Sequence, residues 1–199
     1  MLQITSSLLA RSAFMSHPSP AADWAVPPSI ELEMMKLHRG ILAGLDGRHP
    51  GVVQFTGAAQ GVGTTRTLFT LAEVMARRGV GIASANLCAA RTEDVEALRT
   101  GVRDETPAQG SEVILPRGTS ASRSIEMFLL DTAPIAVSPV SMEVAAVVAG
   151  TVLVVEADRT PDKDIRRALE LIEAGGGHCL GLVLNRRPRR WRPGKRLGN

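Results

Sequence analysis

The chain contains no tyrosine, and aromatic residues make up only 3% of its 199 residues. It therefore cannot carry a phosphotyrosine, and its core has to be built from Val, Leu, Ile, Ala and Met. It has only two cysteines, Cys88 and Cys179, which are too few for a disulfide framework and typical of a reducing compartment. Both lie near predicted strand ends, and we expect both to be small buried thiols.

Long apolar runs are also missing. The longest, residues 144–155, has 12 residues and is interrupted by Gly150 and Thr151. A helix that spans a bilayer needs about 20 consecutive apolar residues. Residues 1–14 have no basic segment ahead of their apolar part, so the sequence does not predict a secretory signal. We therefore expect a cytoplasmic protein.

Positive charge is concentrated at one end of the chain. The formal net charge is +3, but seven basic residues and no acidic residue follow Asn185. Without those seven, 16 basic residues stand against 20 acidic ones, so the rest of the chain is acidic. The pattern predicts a flexible segment over residues 1–29, one domain over 30–185 and a basic tail over 186–199.

The basic tail favours binding to an anionic membrane surface. Lysine and arginine beside anionic lipid contribute about 1 kcal/mol each, and Trp191 is suited to a bilayer interface. Nucleic acid, a protein partner, or a solubilising role without any partner are the alternatives.

The most informative stretch of the sequence is residues 52–67. Residues 52–56 are typical of a buried strand, residues 57–63 contain three glycines and two alanines, and helical spacing of apolar residues begins at Thr64. A strand, a glycine-rich turn and a helix together form a cradle for phosphate, because free backbone N–H groups and the positive end of the helix dipole meet the same anion.

This cradle matches the P-loop pattern only in part. In the register Gly61-Val62-Gly63-Thr64-Thr65, a threonine stands where the P-loop lysine is expected. The hydroxyl of Thr64 can donate a hydrogen bond but carries no charge. The sequence therefore predicts a phosphate cradle that lacks its strongest electrostatic element.

Strands and helices alternate along the chain, and the predicted strands are continuous apolar runs. Such strands are typical of a parallel sheet that is covered on both faces, so we predict an α/β three-layer sandwich with a mostly parallel, P-loop NTPase-like sheet. The predicted helices are 30–45 with Ser29 as its N-cap, one that begins at Thr64, 92–102, 142–148 and 162–174. The predicted strands are 52–56, 80–87, 112–116, 125–130, 151–156 and 180–185. Asp131 follows a buried strand at the edge where open α/β sheets place ligand groups.

Four segments in this order resemble the deviant P-loop ATPases, which include MinD and ParA. They most resemble the bacterial tyrosine kinases of capsule and exopolysaccharide synthesis (CpsD/CapB-like). The segments are residues 56–65, 128–134, 152–160 and 180–185. Glu33, Lys36 and Arg39 also resemble the E-x-x-R-x-x-R oligomerisation helix of those kinases. This resemblance implies a homo-oligomer, whereas solvated charge pairs on one helix face are the simpler interpretation.

The resemblance implies that ATP or ADP binds together with Mg²⁺. The nucleotide-binding set that it implies is Gly61, Gly63, Thr64, Thr65, Arg66 and Asn185. Within the site, Thr65 and Asp131 would bind the metal, and Asp131 would be the catalytic acid of the Walker B motif. Asn185 would contact the adenine, although it could equally satisfy a backbone group at the end of a strand.

The departures from the family pattern predict loss of catalysis. Thr64 replaces the lysine, Ser84-Ala85-Asn86 stands where Asp-x-Asp is expected, and the tyrosines that such kinases phosphorylate are absent. Loss of one such electrostatic group costs on the order of 10²–10³ in rate. We therefore predict a catalytically degenerate partner of a membrane polysaccharide co-polymerase or export protein, peripheral to the inner membrane. A weakly active ATPase or protein kinase of the same pathway and a MinD/ParA-like positioning protein are the alternatives.

Overall fold

A computed structural model describes residues 26–47, 51–100, 112–114 and 125–185. The five helices in these residues are α1 (Pro28–Leu45), α2 (Thr64–Arg77), α3 (Thr92–Thr100), α4 (Pro139–Val147) and α5 (Asp162–Ala174). The six strands are β1 (Gly51–Gly57), β2 (Ile82–Asn86), β3 (Glu112–Ile114), β4 (Met127–Asp131), β5 (Gly150–Glu156) and β6 (Cys179–Asn185). The predicted flexible segment, except for its last few residues, and the predicted basic tail lie outside the described residues.

All six strands form one sheet in the order β3-β2-β4-β1-β5-β6. Five of them are parallel, and β3 pairs antiparallel with β2 at one edge. Successive residues of a strand point to opposite faces of the sheet, and each face packs against its own apolar layer. Phe55 and Val154 pack on the side of α1 and α2, whereas Leu153 and Val155 pack on the side of α4 and α5. The predicted α/β sandwich with a mostly parallel sheet is confirmed.

The central position of β1 places three segments at one edge of the sheet. Phe55 of β1 pairs with Asp131 of β4, and Gly57 pairs with Val154 of β5. The glycine-rich turn therefore leaves β1 beside the carboxyl ends of both neighbouring strands. In an open parallel sheet, this edge is where ligands bind.

Two helices begin earlier than the sequence pattern predicts. Helix α1 begins at Pro28, and Ser29 lies inside its first turn, so the prediction of Ser29 as N-cap is wrong. Proline is favourable in the first turn because its φ is already helical and no partner is needed for its missing N–H. Helix α4 begins at Pro139, where the Oγ of Ser138 accepts a hydrogen bond of 3.3 Å from the N–H of Ser141. This cap sets the start of α4 at Pro139. The apolar pattern, which begins at residue 142, did not reveal this start.

The outer strand β6 is less covered than the sequence pattern predicts. Leu182 and Leu184 are 52% and 59% exposed, although their neighbours across the pairing, Leu153 and Val155, are buried. Among the described residues, α5 covers β5 and reaches β6 only in part. No helix among the described residues is both long enough and apolar enough to cross a bilayer.

Candidate functional site

The glycine-rich turn owes its shape to backbone conformations that other residues avoid. Gly61 and Gly63 have φ values of 72° and 92°, in the left-handed region where glycine has no steric penalty. Gly63 is also the N-cap of α2, and no side chain caps that helix end. The first turn of α2 contains no acidic residue. The positive end of the helix dipole therefore faces the turn, and the helix itself supplies no acidic side chain there.

The last residue of β6 holds this turn in place. The Nδ2 of Asn185 donates a hydrogen bond of 2.8 Å to the carbonyl oxygen of Val62. A Cβ at Gly63 would collide with the same amide group. Asn185 therefore satisfies a backbone group, as in the simpler of its two interpretations, and this contact explains why position 63 must be glycine. Its contact with adenine stays a prediction.

Asp131 lies directly beneath the start of α2. The Oγ1 of Thr65 donates a hydrogen bond of 2.6 Å to the Oδ2 of Asp131. Asp131 is only 1% exposed, and its Oδ1 is the one buried side-chain polar atom in the described residues that has no hydrogen-bond partner. Burial raises the pKa of this carboxyl, and the hydrogen bond from Thr65 opposes the increase in part. A buried carboxylate oxygen without a partner is unfavourable, and a cation would relieve it.

A cavity of about 320 Å³ opens between the glycine-rich turn and the segment that follows Asp131. It is lined by Ala59, Gln60, Gly61, Gly63, Thr64, Thr65, Arg66, Cys88, Asp131, Thr132, Ala133 and Pro134. Arg66 is exposed and is the one cationic side chain among these lining residues, and Asp131 is the one acid. The structure thus brings six of the seven predicted site residues to one cavity, and Asn185 contacts the turn that lines it.

The pair Thr65 and Asp131 fits a bound Mg²⁺. Magnesium is commonly held by one or two carboxylates together with substrate phosphates, and hydroxyl and carboxylate oxygens are ligands that it prefers. The free Oδ1 of Asp131 and the hydroxyl of Thr65 would serve in this way. No group of three His, Cys, Asp or Glu side chains that could hold a metal occurs in the described part of the chain. A metal ion here would thus depend on phosphate or water for its other ligands.

A buried polar network that sequence reasoning missed supports the other wall of the cavity. The Nε2 of Gln54 donates to the Oγ1 of Thr132 at 2.9 Å and to the carbonyl oxygen of Ser141 at 2.8 Å. Its Oε1 accepts from Thr151 at 2.9 Å. Thr56 and Ser141 both donate to the carbonyl oxygen of Ala133 at 2.8 Å. These bonds fix the segment after Asp131 to β1, α4 and β5, so the wall is positioned before any ligand arrives.

Only one clue to this network was available in the sequence. Gln54 is a long polar residue inside an otherwise apolar strand, and a buried polar side chain has to find partners. Its partners lie 78, 87 and 97 residues further along the chain, so no local pattern could identify them.

The end of β2 differs from the sequence prediction in one respect. Cys88 is exposed, so the expectation of a buried thiol at this position is wrong. The Oδ1 of Asn86 accepts a hydrogen bond of 2.9 Å from the N–H of Cys88 and turns the chain outward after the strand. The sulfur lies 3.9 Å from the carbonyl oxygen of Asp131. Partial burial there raises the pKa of the Cys88 thiol to about 11, and the charge of Asp131 adds to the increase.

Charged residues on α1 pair with each other and with Arg78, which follows α2. The Nζ of Lys36 lies 2.8 Å from the Oε1 of Glu33, and both side chains are about 60% exposed. Glu31 pairs with Arg78 at 2.9 Å. Exposed pairs of this kind contribute about 0–1 kcal/mol to stability. They fit the simpler interpretation, in which the charges of this helix face are solvated surface pairs. Oligomerisation through this helix face stays a prediction.

The fold and the cradle define a P-loop NTPase-like α/β protein. No protein-family model and no curated protein matches the sequence. Among solved structures, the chain is similar to the kinase domain of the Escherichia coli tyrosine kinase ETK, with a TM-score of 0.65 and 16% identity over 96% of this chain and 91% of that one. It is also similar to the chimerical protein CapA2B2, with a TM-score of 0.57 and 19% identity over 79% of this chain and 85% of that one.

A third similar structure is the BceF tyrosine kinase domain, with a TM-score of 0.53 and 18% identity over 80% of this chain and 77% of that one. The resemblance to bacterial tyrosine kinases that the sequence motifs predicted is thus confirmed at the level of the fold. Identities below 20% show that the fold is shared, and the chemistry has to be argued from the residues of this chain.

We predict that Asp131→Asn raises the melting temperature at pH 7. The raised pKa means that the folded protein disfavours the charged carboxylate, so the native state loses stability from this group as the pH rises through its folded pKa. Asparagine keeps the shape and an acceptor for Thr65 without the charge. The gain should shrink as the pH falls toward the ordinary aspartate pKa of about 3.9, because protonation removes the charge that the folded protein disfavours.

Thermal melts of both proteins between pH 4 and pH 8 measure this difference. Asp162→Asn at the exposed start of α5 is the matched control and should not reproduce the pH-dependent gain. A variant that melts below wild type at pH 7, with no change in the difference across this range, would contradict the prediction.

Proposed function

We propose that the chain is a catalytically degenerate P-loop protein that binds a nucleotide with Mg²⁺ and regulates or scaffolds a capsule or exopolysaccharide synthesis complex. The observation that carries the proposal is the combination of an intact cradle with an uncharged residue at the lysine position. Gly61 and Gly63 shape the turn, Thr65 and Asp131 form the pair suited to Mg²⁺, and Thr64 lines the same cavity.

Binding and catalysis make different demands on this site. Backbone N–H groups and the dipole of α2 can hold phosphate without any lysine. Phosphoryl transfer also needs positive charge beside the phosphoryl group that is transferred. In P-loop enzymes, a lysine and the metal ion supply this charge. Among the described lining residues, Arg66 is the one cationic side chain, and a metal at Asp131 would add the other positive charge. The site therefore favours nucleotide binding over turnover.

Two similarities support the proposed pathway. The order of motifs resembles the tyrosine kinases of capsule and exopolysaccharide synthesis, and the fold is similar to tyrosine kinase domains of known structure. We include a membrane polysaccharide co-polymerase or export protein as partner, and a location at the cytoplasmic side of the inner membrane. The face of α1 that carries Glu33, Lys36 and Arg39 would bind a second copy, and a light-scattering mass of one chain would argue against this.

We predict that the protein hydrolyses ATP no faster than the uncatalysed background, because Thr64 supplies no charge to the phosphates. Thr64→Lys should raise turnover, since loss of one stabilising group costs on the order of 10²–10³ in rate. Phosphate release in the presence of Mg²⁺ measures both proteins.

Asp131→Ala in the Thr64→Lys background is the control and should remove any gain. Robust turnover by the wild-type chain that Asp131→Ala abolishes would show the weakly active ATPase or kinase alternative to be correct.

We also predict that ADP and ATP bind with similar affinity. Arg66 lies in the first turn of α2, and the helix rotates by about 100° per residue, so its guanidinium does not point in the direction of the missing lysine. It should meet the α-phosphate, which both nucleotides share. Arg66→Ala should weaken both by about tenfold or more, since a charge-assisted hydrogen bond contributes about 1.5–3 kcal/mol.

Isothermal titration with each nucleotide, with and without Mg²⁺, tests this prediction. Arg167→Ala on α5, an exposed arginine outside the cavity lining, is the matched control and should bind like wild type. A strong preference for ATP that persists in Arg66→Ala would contradict the role of Arg66. Absence of binding for both nucleotides would overturn nucleotide binding itself.

We predict that the basic tail, residues 186–199, attaches the domain to anionic membrane. Its seven basic residues can each contribute about 1 kcal/mol beside anionic lipid. A chain that ends at Asn185 should keep its melting temperature and lose salt-sensitive binding to vesicles with phosphatidylglycerol. Vesicle binding that is unchanged by the truncation, or unfolding of the shortened chain, would exclude this role. Binding of duplex DNA by the full chain alone would favour the MinD/ParA-like alternative.

A further inference from the structure

The cavity contains an unbalanced buried carboxylate. Asp131 is 1% exposed, Thr65 satisfies its Oδ2, and its Oδ1 has no hydrogen-bond partner among the described residues. Thr64 offers a hydroxyl at the position where a P-loop lysine would bring a charge. A buried anionic oxygen is stabilised by a paired cation or a metal ion. The cavity therefore presents a ligand atom for a cation even without a phosphate.

A second type of ligand lines the same cavity as this carboxylate. Cys88 lines the same cavity, and its Sγ lies 3.9 Å from the carbonyl oxygen of Asp131. Two backbone contacts fix this arrangement, because the N–H of Leu87 donates to that same carbonyl at 2.7 Å and Asn86 pairs with Asp131 across the sheet. The Asn86 side chain accepts from the N–H of Cys88 and holds the turn. Cys88 thus follows β2, Asp131 ends β4, and the pairing of these two strands is in fixed register.

We propose that the Sγ of Cys88 and the Oδ1 of Asp131 together bind a thiophilic divalent cation of the Zn²⁺ type, without any nucleotide. Cysteine sulfur selects soft and borderline metals such as zinc, whereas oxygen ligands alone select magnesium. The thiol gives its proton to solvent as the metal–sulfur bond forms. The hydroxyl of Thr65 and water complete the coordination.

The number of protein ligands determines which kind of metal site the cavity can form. Structural zinc sites have four protein ligands, and open sites with fewer protein ligands keep positions for water or substrate. The described residues contain no third His, Cys, Asp or Glu in this cluster. The cation is therefore exchangeable and keeps open positions toward the cavity. A phosphate that enters the cavity would meet this positive charge at the place where the lysine is missing, and this last step alone rests on the proposed nucleotide binding.

Cadmium is the probe that shows directly whether the sulfur binds the metal. A cadmium–thiolate bond adds an ultraviolet charge-transfer band, so titration of the full chain with Cd²⁺ in the absence of nucleotide and Mg²⁺ shows whether a thiol binds. We expect one equivalent to bind, Cys88→Ser to abolish the band, and Asp131→Asn to weaken Cd²⁺ binding by about tenfold or more, as loss of groups that support a metal commonly does. Zinc should displace cadmium, and millimolar Mg²⁺ should not.

Cys179→Ser is the matched control. Cys179 begins β6 and pairs with Thr151 near the start of β5, at the opposite end of the parallel strands from the cavity. This variant should keep the band unchanged. Cys88 is exposed, so its replacement by serine should leave the fold intact, and a thermal melt checks this.

Three results would overturn the inference. They are no cadmium band in the wild-type chain, a band that survives Cys88→Ser and disappears in Cys179→Ser, or unchanged Cd²⁺ affinity in a folded Asp131→Asn protein. Since no nucleotide is present, failure here leaves the titrations with ADP and ATP unaffected, and failure of those titrations leaves this cation site unaffected.

Discussion

The hydrogen bond of 2.6 Å between Thr65 and Asp131 joins the two halves of the site. Thr65 belongs to the first turn of α2, and Asp131 ends β4, so this one contact sets how the glycine-rich turn faces the opposite wall. It leaves the second carboxylate oxygen buried and without a partner among the described residues. Such an unfavourable group lowers the stability of the fold, and it can bind a ligand that enters the cavity. Functional sites commonly contain groups of this kind.

The surroundings of this contact are rigid on both sides. Asn185 holds the turn through the carbonyl of Val62, and Gln54 holds the opposite wall through Thr132 and Ser141. In many P-loop switches, a segment changes its order when the γ-phosphate is lost. Here the wall after Asp131 is bound by buried side chains of β1 and α4. For the nucleotide site proposed above, this arrangement favours steady binding over a switch driven by hydrolysis.

Charge decides what such a site can do. A P-loop with lysine is a phosphate site from the start, because the lysine neutralises the nearby acid and the incoming anion. With Thr64 in that position, Asp131 is the one acid and Arg66 the one cation among the described residues that line the cavity. A positive ion at Asp131, as proposed above, would relieve its buried charge and would add to the attraction for phosphate that the backbone N–H groups already supply. In the cation site proposed above, the exposed Cys88, which lines the same cavity, would favour a thiophilic ion.

The sequence was sufficient to predict the α/β class, the parallel sheet, the position of the cradle and the placement of Asp131 at a strand end. These features arise from local patterns: continuous apolar runs, helical spacing, and glycines at positions with φ near 72° and 92°. Helix α5 agrees with its predicted bounds at residues 162–174 because its pattern is strongly amphipathic and follows a proline. The absence of tyrosine and the uncharged Thr64 were also visible in the sequence, because composition needs no structure.

Tertiary structure alone decided which distant groups meet. The partners of Gln54 are separated from it by 78 to 97 residues, and Asn185 reaches a carbonyl 123 residues away, so no local pattern could show either contact. The exposure of Cys88 depends on the turn that Asn86 makes after β2, and its nearness to Asp131 depends on the pairing of β2 with β4. Strand order and register are set by how the whole sheet packs its two apolar layers, and this packing brings together residues whose proximity the sequence does not show.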